Sequence, residues 1–268
     1  QLNEIDKDYY LSDFVVNFGE NMSKHAALDR FGRSGNPVFG NKFDASQTVT
    51  DANTMSLNGA VNKTGILLAL CFCSAIFTWN NPIPTLMLTG MIGGFIVAIY
   101  TSFVPKNAGI TAPIYAILKG FALGAISVFF EREYPGIAIQ AIGLTFGTLA
   151  ALLFFYKSGI IKPTENFRLM IFSATAAVCI LYIINLLMYA FGANQIGFIH
   201  DSGFFGIAFS LFVVSIAALN LVLDFDFIEQ GSENGLPKYM EWYGAFALMV
   251  TLVWLYLEIL RLLAKLRR

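Results

Sequence analysis

Five ionisable side chains of this sequence lie inside long apolar segments or at their ends. They are Lys119, Asp224, Asp226, Glu241 and Glu258. A charge in hydrocarbon is costly, so an ionisable group within a membrane span indicates a function or a specific partner. The chemistry open to this set is proton exchange and the binding or passage of a cation.

Depth along the segments suggests one ion pair. At about 1.5 Å of helix rise per residue, Lys119 lies roughly 12 Å inside the third apolar segment. Asp224 lies about 8 Å from the same membrane face, near the end of the sixth segment. Our hypothesis is that Lys119 and Asp224 pair in the bundle. The alternative is that Lys119 extends its side chain to the interface.

The acidic end of the sixth segment is a candidate cation site. Asp224 and Asp226 point about 200° apart on a helix, whereas Asp226 and Glu229 share a face. Calcium takes several carboxylate and carbonyl oxygens, so Asp224 and Asp226 are candidate calcium ligands. Asn220, one turn above Asp224, is expected to extend a polar seam. The alternative reading is a solvated helix end, above all for Glu229.

The last segment contributes two further acids. Glu241 opens it and is an alternative neighbour for Asp224. Glu258 lies roughly 28 Å along the helix from Tyr239, so it is expected on the opposite side of the membrane from Asp224. Arg261 follows Glu258 at i+3 and is its obvious local partner.

The elements that carry these side chains are predicted to be membrane helices. Of 268 residues, 56% are hydrophobic and 13% are charged, whereas soluble domains carry about 25% charged residues. A span needs roughly 20 mostly apolar residues, and seven segments approach or meet that length. They are residues 64–79, 85–104, 112–130, 134–156, 167–191, 204–223 and 239–263. Because backbone groups in lipid must bond internally, we predict an all-α membrane protein with seven transmembrane helices.

The chain divides into two regions. Residues 1–63 are polar and predict a partly disordered arm, and residues 64–268 form the transmembrane domain. Basic residues of the short loops gather on the side of the arm, which indicates the cytoplasm. That side carries Lys42, Lys63, Lys106, Lys157, Lys162, Arg168 and Lys238, and the opposite loops carry Arg132. The basic C-terminal tail is the exception to this bias.

Glycines spaced four residues apart predict close helix packing within the bilayer. The pairs are Gly120 with Gly124 and Gly143 with Gly147, and Gly90 lies near Gly93 and Gly94.

Several other chemistries are disfavoured. The net charge of −1 does not indicate the basic surface that nucleic-acid binding requires. Cys71, Cys73 and Cys179 lack disulfide or zinc spacing, and His25 and His200 lie outside the apolar segments. No span pairs a nucleophile with a base, so we expect no enzyme and no cofactor, with calcium as the one candidate ion.

Six stretches of the sequence resemble one known family. They are residues 35–39 (GNPVF), 54–59 (TMSLNG), 112–116 (APIYA), 134–137 (YPGI), 220–229 (NLVLDFDFIE) and 240–262. Over residues 33–268 the chain resembles the bacterial, YccA-like branch of the Bax inhibitor-1 family. The resemblance implies a bacterial plasma membrane protein whose last helix is central and wrapped by the other six.

The resemblance also implies a function. Members are associated with pH-sensitive calcium leak, in which two carboxylates on the sixth and seventh helices share a proton and gate the path. The matching positions are Asp224 and Glu258. We therefore expect a pH-sensitive calcium (cation) leak channel or a proton-linked calcium transporter. Its ion-binding or pH-sensing residues are expected to be Asp224, Glu258, Asp226 and Glu241.

The alternative is a regulatory membrane protein without transport of its own. Some bacterial relatives are linked to a membrane-bound protease, and the polar arm would serve as its handle. Pull-downs with and without the arm would separate these hypotheses. Both make the lipid bilayer a partner and leave the oligomeric state open.

Overall fold

The computed structural model describes residues 53–192 and 196–268, so most of the polar arm lies outside the described residues. Within those ranges, seven helices are long and apolar enough to cross a membrane, which confirms the predicted fold class. They are α1 (Leu57–Asn80), α2 (Pro84–Phe103), α3 (Ala108–Glu133), α4 (Ile137–Lys157), α5 (Glu165–Ala190), α6 (Phe204–Glu233) and α7 (Met240–Arg267). A 3-10 turn, Pro105–Asn107, precedes α3, and one helical turn, Gly197–His200, precedes α6.

The first helix begins earlier than hydropathy predicts, at Leu57 rather than at residue 64. Ser56 is extended, and its side chain accepts a hydrogen bond from the Gly59 N–H at 3.1 Å. This is an N-cap, which satisfies one of the free amides of the first turn. The polar residues Asn58 and Lys63, predicted to lie in the polar arm, therefore belong to the first membrane helix.

The chain enters α1 alongside the loop between α6 and α7. The Met55 N–H donates to the Leu236 carbonyl at 2.6 Å, and the Lys238 N–H donates to the Asn53 carbonyl at 2.9 Å. Thr54 and Pro237 form an isolated antiparallel bridge between these two hydrogen bonds. The start of the domain and its last helical hairpin are thus held together at one membrane face.

The last helix lies at the centre of the bundle, as the resemblance implied. α7 packs against α1, α3, α4 and α6. In its most apolar stretch 67% of the residues are buried, against 17% for α2 and for α5. α2 packs on α3, and α5 packs on α6, so these two helices are peripheral.

The α6–α7 hairpin is antiparallel with a defined register. Ile228 Cγ1 lies 3.0 Å from the position that a Cβ on Gly244 would take. At the far end Lys265 Nζ donates to the Gly206 carbonyl at 3.0 Å. This register places Asp224 at the level of residues 247–248 of α7.

Close helix contacts form at one of the two glycine pairs. A Cβ on Gly120 would meet the Ser74 hydroxyl and the Cys71 carbonyl oxygen of α1. A Cβ on Gly124 would meet the Ala75 carbonyl oxygen, so both glycines let α3 approach the α1 backbone. At Gly143 and Gly147 no atom of the described residues lies within 4 Å of such a Cβ. The predicted close packing is therefore confirmed at the first pair and wrong at the second.

The two pairs supply a matched test. Gly120→Ala is expected to lower the free energy of unfolding by about 1–3 kcal/mol, because the new methyl group must push α1 away. Gly143→Ala is the control and should leave stability unchanged or slightly higher, since alanine favours helix. Unfolding of the purified protein in detergent micelles would measure both. Equal losses for the two variants would contradict the packing described here.

Candidate ion-binding seam

Buried polar side chains lie along α6, and two of them, Asn220 and Asp226, hydrogen-bond to α5. Asn220 is 1% exposed, and its Nδ2 donates to Thr175 Oγ1 at 2.8 Å and to the Ile216 carbonyl at 2.9 Å. Its Oδ1 atom has no hydrogen-bond partner among the described residues. We call the buried polar residues Asn220, Asp224 and Asp226 the polar seam; Asn220 joins it to α5 through Thr175.

Asp224 is completely buried one turn further along α6. Leu221 and Ile228, its neighbours at i−3 and i+4, belong to the main apolar core. Leu223 packs in a smaller cluster with Ile171 of α5. Asp224 thus stands between two apolar clusters, inside the bilayer segment of the helix.

Asp226 lies about 200° around α6 from Asp224 and forms an ion pair with α5. Arg168 Nη2 of α5 donates to Asp226 Oδ2 at 2.6 Å, and each residue is 9% exposed. Gln230 Nε2 donates to both carboxylate oxygens, at 2.9 and 3.0 Å. The opposite charges and the amide satisfy the carboxylate, so its burial is compensated.

Glu229 faces a different helix from Asp226. Its carboxylate accepts a hydrogen bond from the Tyr156 hydroxyl of α4. The Tyr156 ring also packs against the Phe225 ring at a tilted angle, with ring centroids 6.0 Å apart. Although Asp226 and Glu229 are three residues apart, the first binds α5 and the second binds α4, so they form no common site.

A resident calcium ion does not fit these residues. Among the described residues, no group of three or more His, Cys, Asp or Glu side chains could hold a metal ion. Calcium prefers six to eight oxygen ligands, and the oxygens of Asp226 already bind Arg168 and Gln230. The described residues therefore do not form the calcium site predicted at Asp224 and Asp226.

The predicted pair of Lys119 and Asp224 is not among the ion pairs of the described residues. Lys119 Nζ lies 5.8 Å from the centre of the Tyr115 ring on its own helix. Its carbon chain packs on Gly94 of α2. The two residues have similar depths, but Lys119 faces the peripheral helix α2, away from α6.

Glu241 ties α7 to α1 and has no part in the seam. It is 1% exposed, and its Oε1 accepts hydrogen bonds from the Ser56 N–H and hydroxyl, both at 2.9 Å. Its other carboxylate oxygen pairs with Lys63, whose Nζ lies 5.5 Å from the centre of the Trp242 ring. Gly59 has no side chain, which leaves space for the carboxylate at the start of α1.

Glu258 belongs to a separate cluster at the other end of the bundle. Arg261 Nη1 donates to its two carboxylate oxygens at 3.0 and 3.1 Å. The Tyr182 hydroxyl donates to Glu258 Oε1 at 3.0 Å, and Arg261 lies over the Tyr182 ring. The local pair expected from the sequence is present, and α5 completes it.

The structure keeps Asp224 and Glu258 apart. Arg168, which binds Asp226, and Tyr182, which binds Glu258, both lie on α5. They are separated by about 21 Å along that helix. Direct sharing of a proton between Asp224 and Glu258, as the family resemblance implied, does not fit this arrangement.

Several residues of these clusters had no role in the sequence reasoning. Arg168 and Lys63 counted only as loop charges that set the orientation, and Ser56 and Tyr156 had no assigned role. Ser56 could have been found, because Ser56 directly before a helix start is an N-cap signal. For Arg168 and Tyr156 the sequence holds no local signal, since their partners are 58 and 73 residues away.

These features define an α-helical multi-pass membrane protein whose buried polar seam lies beside a central last helix. The family model for "Bax inhibitor 1 like" proteins matches residues 36–268, and the chain belongs to that family. No curated protein matches the chain, and neither does any solved structure.

Proposed function

We propose that the protein provides a pH-sensitive leak path for cations, calcium among them, and that Asp224 is the group such an ion meets inside the bilayer. The complete burial of this carboxyl group within α6 carries the proposal. Ionisable groups at such depth are costly, and they mark ion and proton pathways in membrane proteins. Membership of the family is consistent with a channel or transporter.

The geometry described here corresponds to a closed path. Asn220 and Asp224 are packed without exposure, and Arg168 places a positive charge beside Asp226. A passing cation needs the seam to open and to take up water. The peripheral position of α5, which packs on α6 alone among its larger contacts, makes it the helix that moves.

The sign of the pH effect follows from the charges. Ionised Asp224 and Asp226 attract cations, and Asp226 also neutralises Arg168. Protonation removes the attraction and leaves the arginine charge uncompensated. Cation flux is therefore expected to fall at mildly acidic pH and to rise at mildly alkaline pH.

The test is calcium entry into liposomes that contain the purified full chain and a trapped calcium dye. Wild-type protein is expected to give flux above empty liposomes, higher on the alkaline side. Asp224→Asn, which keeps the shape and removes the charge, is expected to reduce the flux severalfold and to flatten its pH dependence. Glu233→Gln is the matched control, because Glu233 is an exposed acid on the same helix and should keep wild-type flux.

Two results would count against the leak path. The first is no flux above empty liposomes at either pH, with protein that is folded and inserted. The second is equal loss of flux in Asp224→Asn and Glu233→Gln, which would mean that general surface charge, and not the seam, controls the signal.

The cellular placement belongs to the same proposal. We place the protein in the YccA-like branch of the family and in the bacterial inner membrane, with its N-terminus in the cytoplasm. The basic bias of the loops on the side of Lys63 and Lys238 supports the cytoplasmic N-terminus. The resemblance over residues 33–268 supports the branch and the bacterial membrane. We propose no enzymatic activity and no binding of nucleic acid.

A regulatory role at a membrane protease is the second candidate. Its support is the attachment of the arm, because Asn53 and Met55 are hydrogen-bonded to the loop that leads into the central helix. A partner that pulls on the arm would act on α7 directly. Folded protein without flux, together with a protease that co-purifies only when residues 1–52 are present, would favour this role.

A further inference from the structure

A cavity of about 170 Å³ lies beside the central helix, away from the polar seam. Its walls come from α1, α3, α4 and α7. Its lining includes Leu68, Phe72, Ala138, Ile142, Met249 and Val253. None of the seam residues Asn220, Asp224 and Asp226 lines it, so this cavity needs an explanation of its own.

The chemistry of the cavity selects an apolar ligand. Its lining residues include no charged side chain. The hydroxyl groups of Ser127 and Tyr256 lie 2.6 Å apart, and the Ser127 hydroxyl also donates to the Leu123 carbonyl at 2.6 Å. Tyr256 is therefore the donor to Ser127, and both groups are satisfied within the protein. An apolar cavity of about this size stays dry and binds hydrocarbon groups.

The lining of the cavity reaches the lipid-facing surface of the bundle. α1 and α4 both pack on α3 and α7, and across the gap between them the rings of Phe72 and Phe146 stack with centroids 5.9 Å apart. On the α1 side Ile76 is 58% exposed and Trp79 is 40% exposed. These residues belong to membrane spans, so their exposed surfaces face acyl chains.

One end of the cavity lies at the membrane surface. Trp79 lines it and stands next to Asn80, the last residue of α1. Tryptophan is enriched at the level of the lipid head groups. From Trp79 the cavity runs along α1 as far as Leu68, inside the bilayer. It therefore follows the path that an acyl chain takes below its head group.

We propose that this cleft, formed by α1 and α4 over α7, is a binding site for one acyl chain of a phospholipid in the leaflet on the side of Trp79. The chain lies against Met249 and Val253 of the central helix, which are buried in the protein. The proposal is independent of the leak path, because it uses another face of α7.

The test uses the full chain in vesicles that contain a trace of phospholipid with a photoreactive diazirine midway along one acyl chain. After illumination, peptide mapping locates the label. We expect label on Met249 or Val253, which bulk lipid cannot reach. Ala138→Phe fills the cleft and should cut that label severalfold. Ile139→Phe is the matched control, since Ile139 is 69% exposed on the same helix and should leave it unchanged.

A second variant that fills the cleft controls for a folding defect in Ala138→Phe. Ala75→Phe, on the opposite wall, should also remove the label from α7. The proposal is overturned if wild-type protein shows label on lipid-facing residues alone, or if folded Ala138→Phe and Ala75→Phe keep the label on α7. It is also overturned if a diazirine fatty acid labels α7 and the phospholipid probe does not.

Discussion

Replacing Arg168 by methionine is expected to lower the free energy of unfolding by about 3–5 kcal/mol. The ion pair with Asp226 is 2.6 Å long and nearly buried. Removing the guanidinium leaves a carboxylate in the bilayer segment with Gln230 as its remaining side-chain donor. Reversible unfolding in mixed detergent micelles, followed by helicity, would measure the loss.

The partner substitution provides the decisive control. In Arg168→Met with Asp226→Leu, both charges are gone and apolar side chains fill the space, so most of the stability should return. Lys162→Met changes an exposed basic residue just before α5 and should have little effect. The ion pair would contribute little if Arg168→Met alone were as stable as wild type. The same conclusion would follow if the double variant were no more stable than Arg168→Met.

Replacing Glu241 by alanine is the second large effect that we expect, at about 3–5 kcal/mol. The change removes the acceptor for the Ser56 N–H and hydroxyl and the counter-ion of Lys63. Glu241→Gln should cost less, because its amide oxygen can still accept from Ser56. Besides unfolding, hydrogen exchange of the amides at the start of α1 should rise sharply.

A graded series separates this anchor from a general defect. Ser56→Ala removes the N-cap and one hydrogen bond and should cost about 0.5–2 kcal/mol. Glu233→Gln, at an exposed position, should leave the exchange of α1 unchanged. If Glu241→Ala loses stability while hydrogen exchange at the start of α1 stays slow, the Glu241 carboxylate stabilises another part of the protein. The proposed link between α7 and α1 would then be wrong.

The helices were predictable because a membrane span has a strong one-dimensional signal. Some 20 apolar residues between polar breaks suffice to locate it. The error at α1 shows the limit of that signal. Asn58 and Lys63 lower the local hydropathy, yet the Ser56 cap starts the helix there. A helix cap depends on a single residue. An average of hydropathy over a window of about 20 residues does not show such a residue.

The partners of the buried acids were harder to predict, because depth is only one of the coordinates that place a side chain. Lys119 and Asp224 have similar depths but lie on different sides of the bundle. Asp226 and Glu229 share a helix face but bind α5 and α4. The direction in which a side chain points depends on which helices are neighbours, and no local pattern in one sequence gives that arrangement.

The glycine pairs show the same limit. Equal spacing allowed both pairs to meet another helix. Gly120 does so, and Gly143 meets no atom of the described residues. The spacing of two glycines shows that another helix could pack closely on that face. Whether a helix does pack there depends on how the bundle is arranged. The lipid cleft could not be predicted from the sequence, because the residues that line it are ordinary apolar residues of four different spans.

The central position of α7 has a consequence for how the protein is made. The ribosome completes this helix last, yet α1, α3, α4 and α6 pack on it. Lys63 and Ser56, at the start of the first of these seven helices, meet Glu241 only after 178 and 185 further positions have followed. Before α7 arrives, α1 and α3 can already pack on each other through Gly120 and Gly124, but the surfaces of α1, α3, α4 and α6 that will face α7 stay uncovered. A stop codon before α7 removes the framework on which the whole domain closes, so such a fragment is a substrate for quality control.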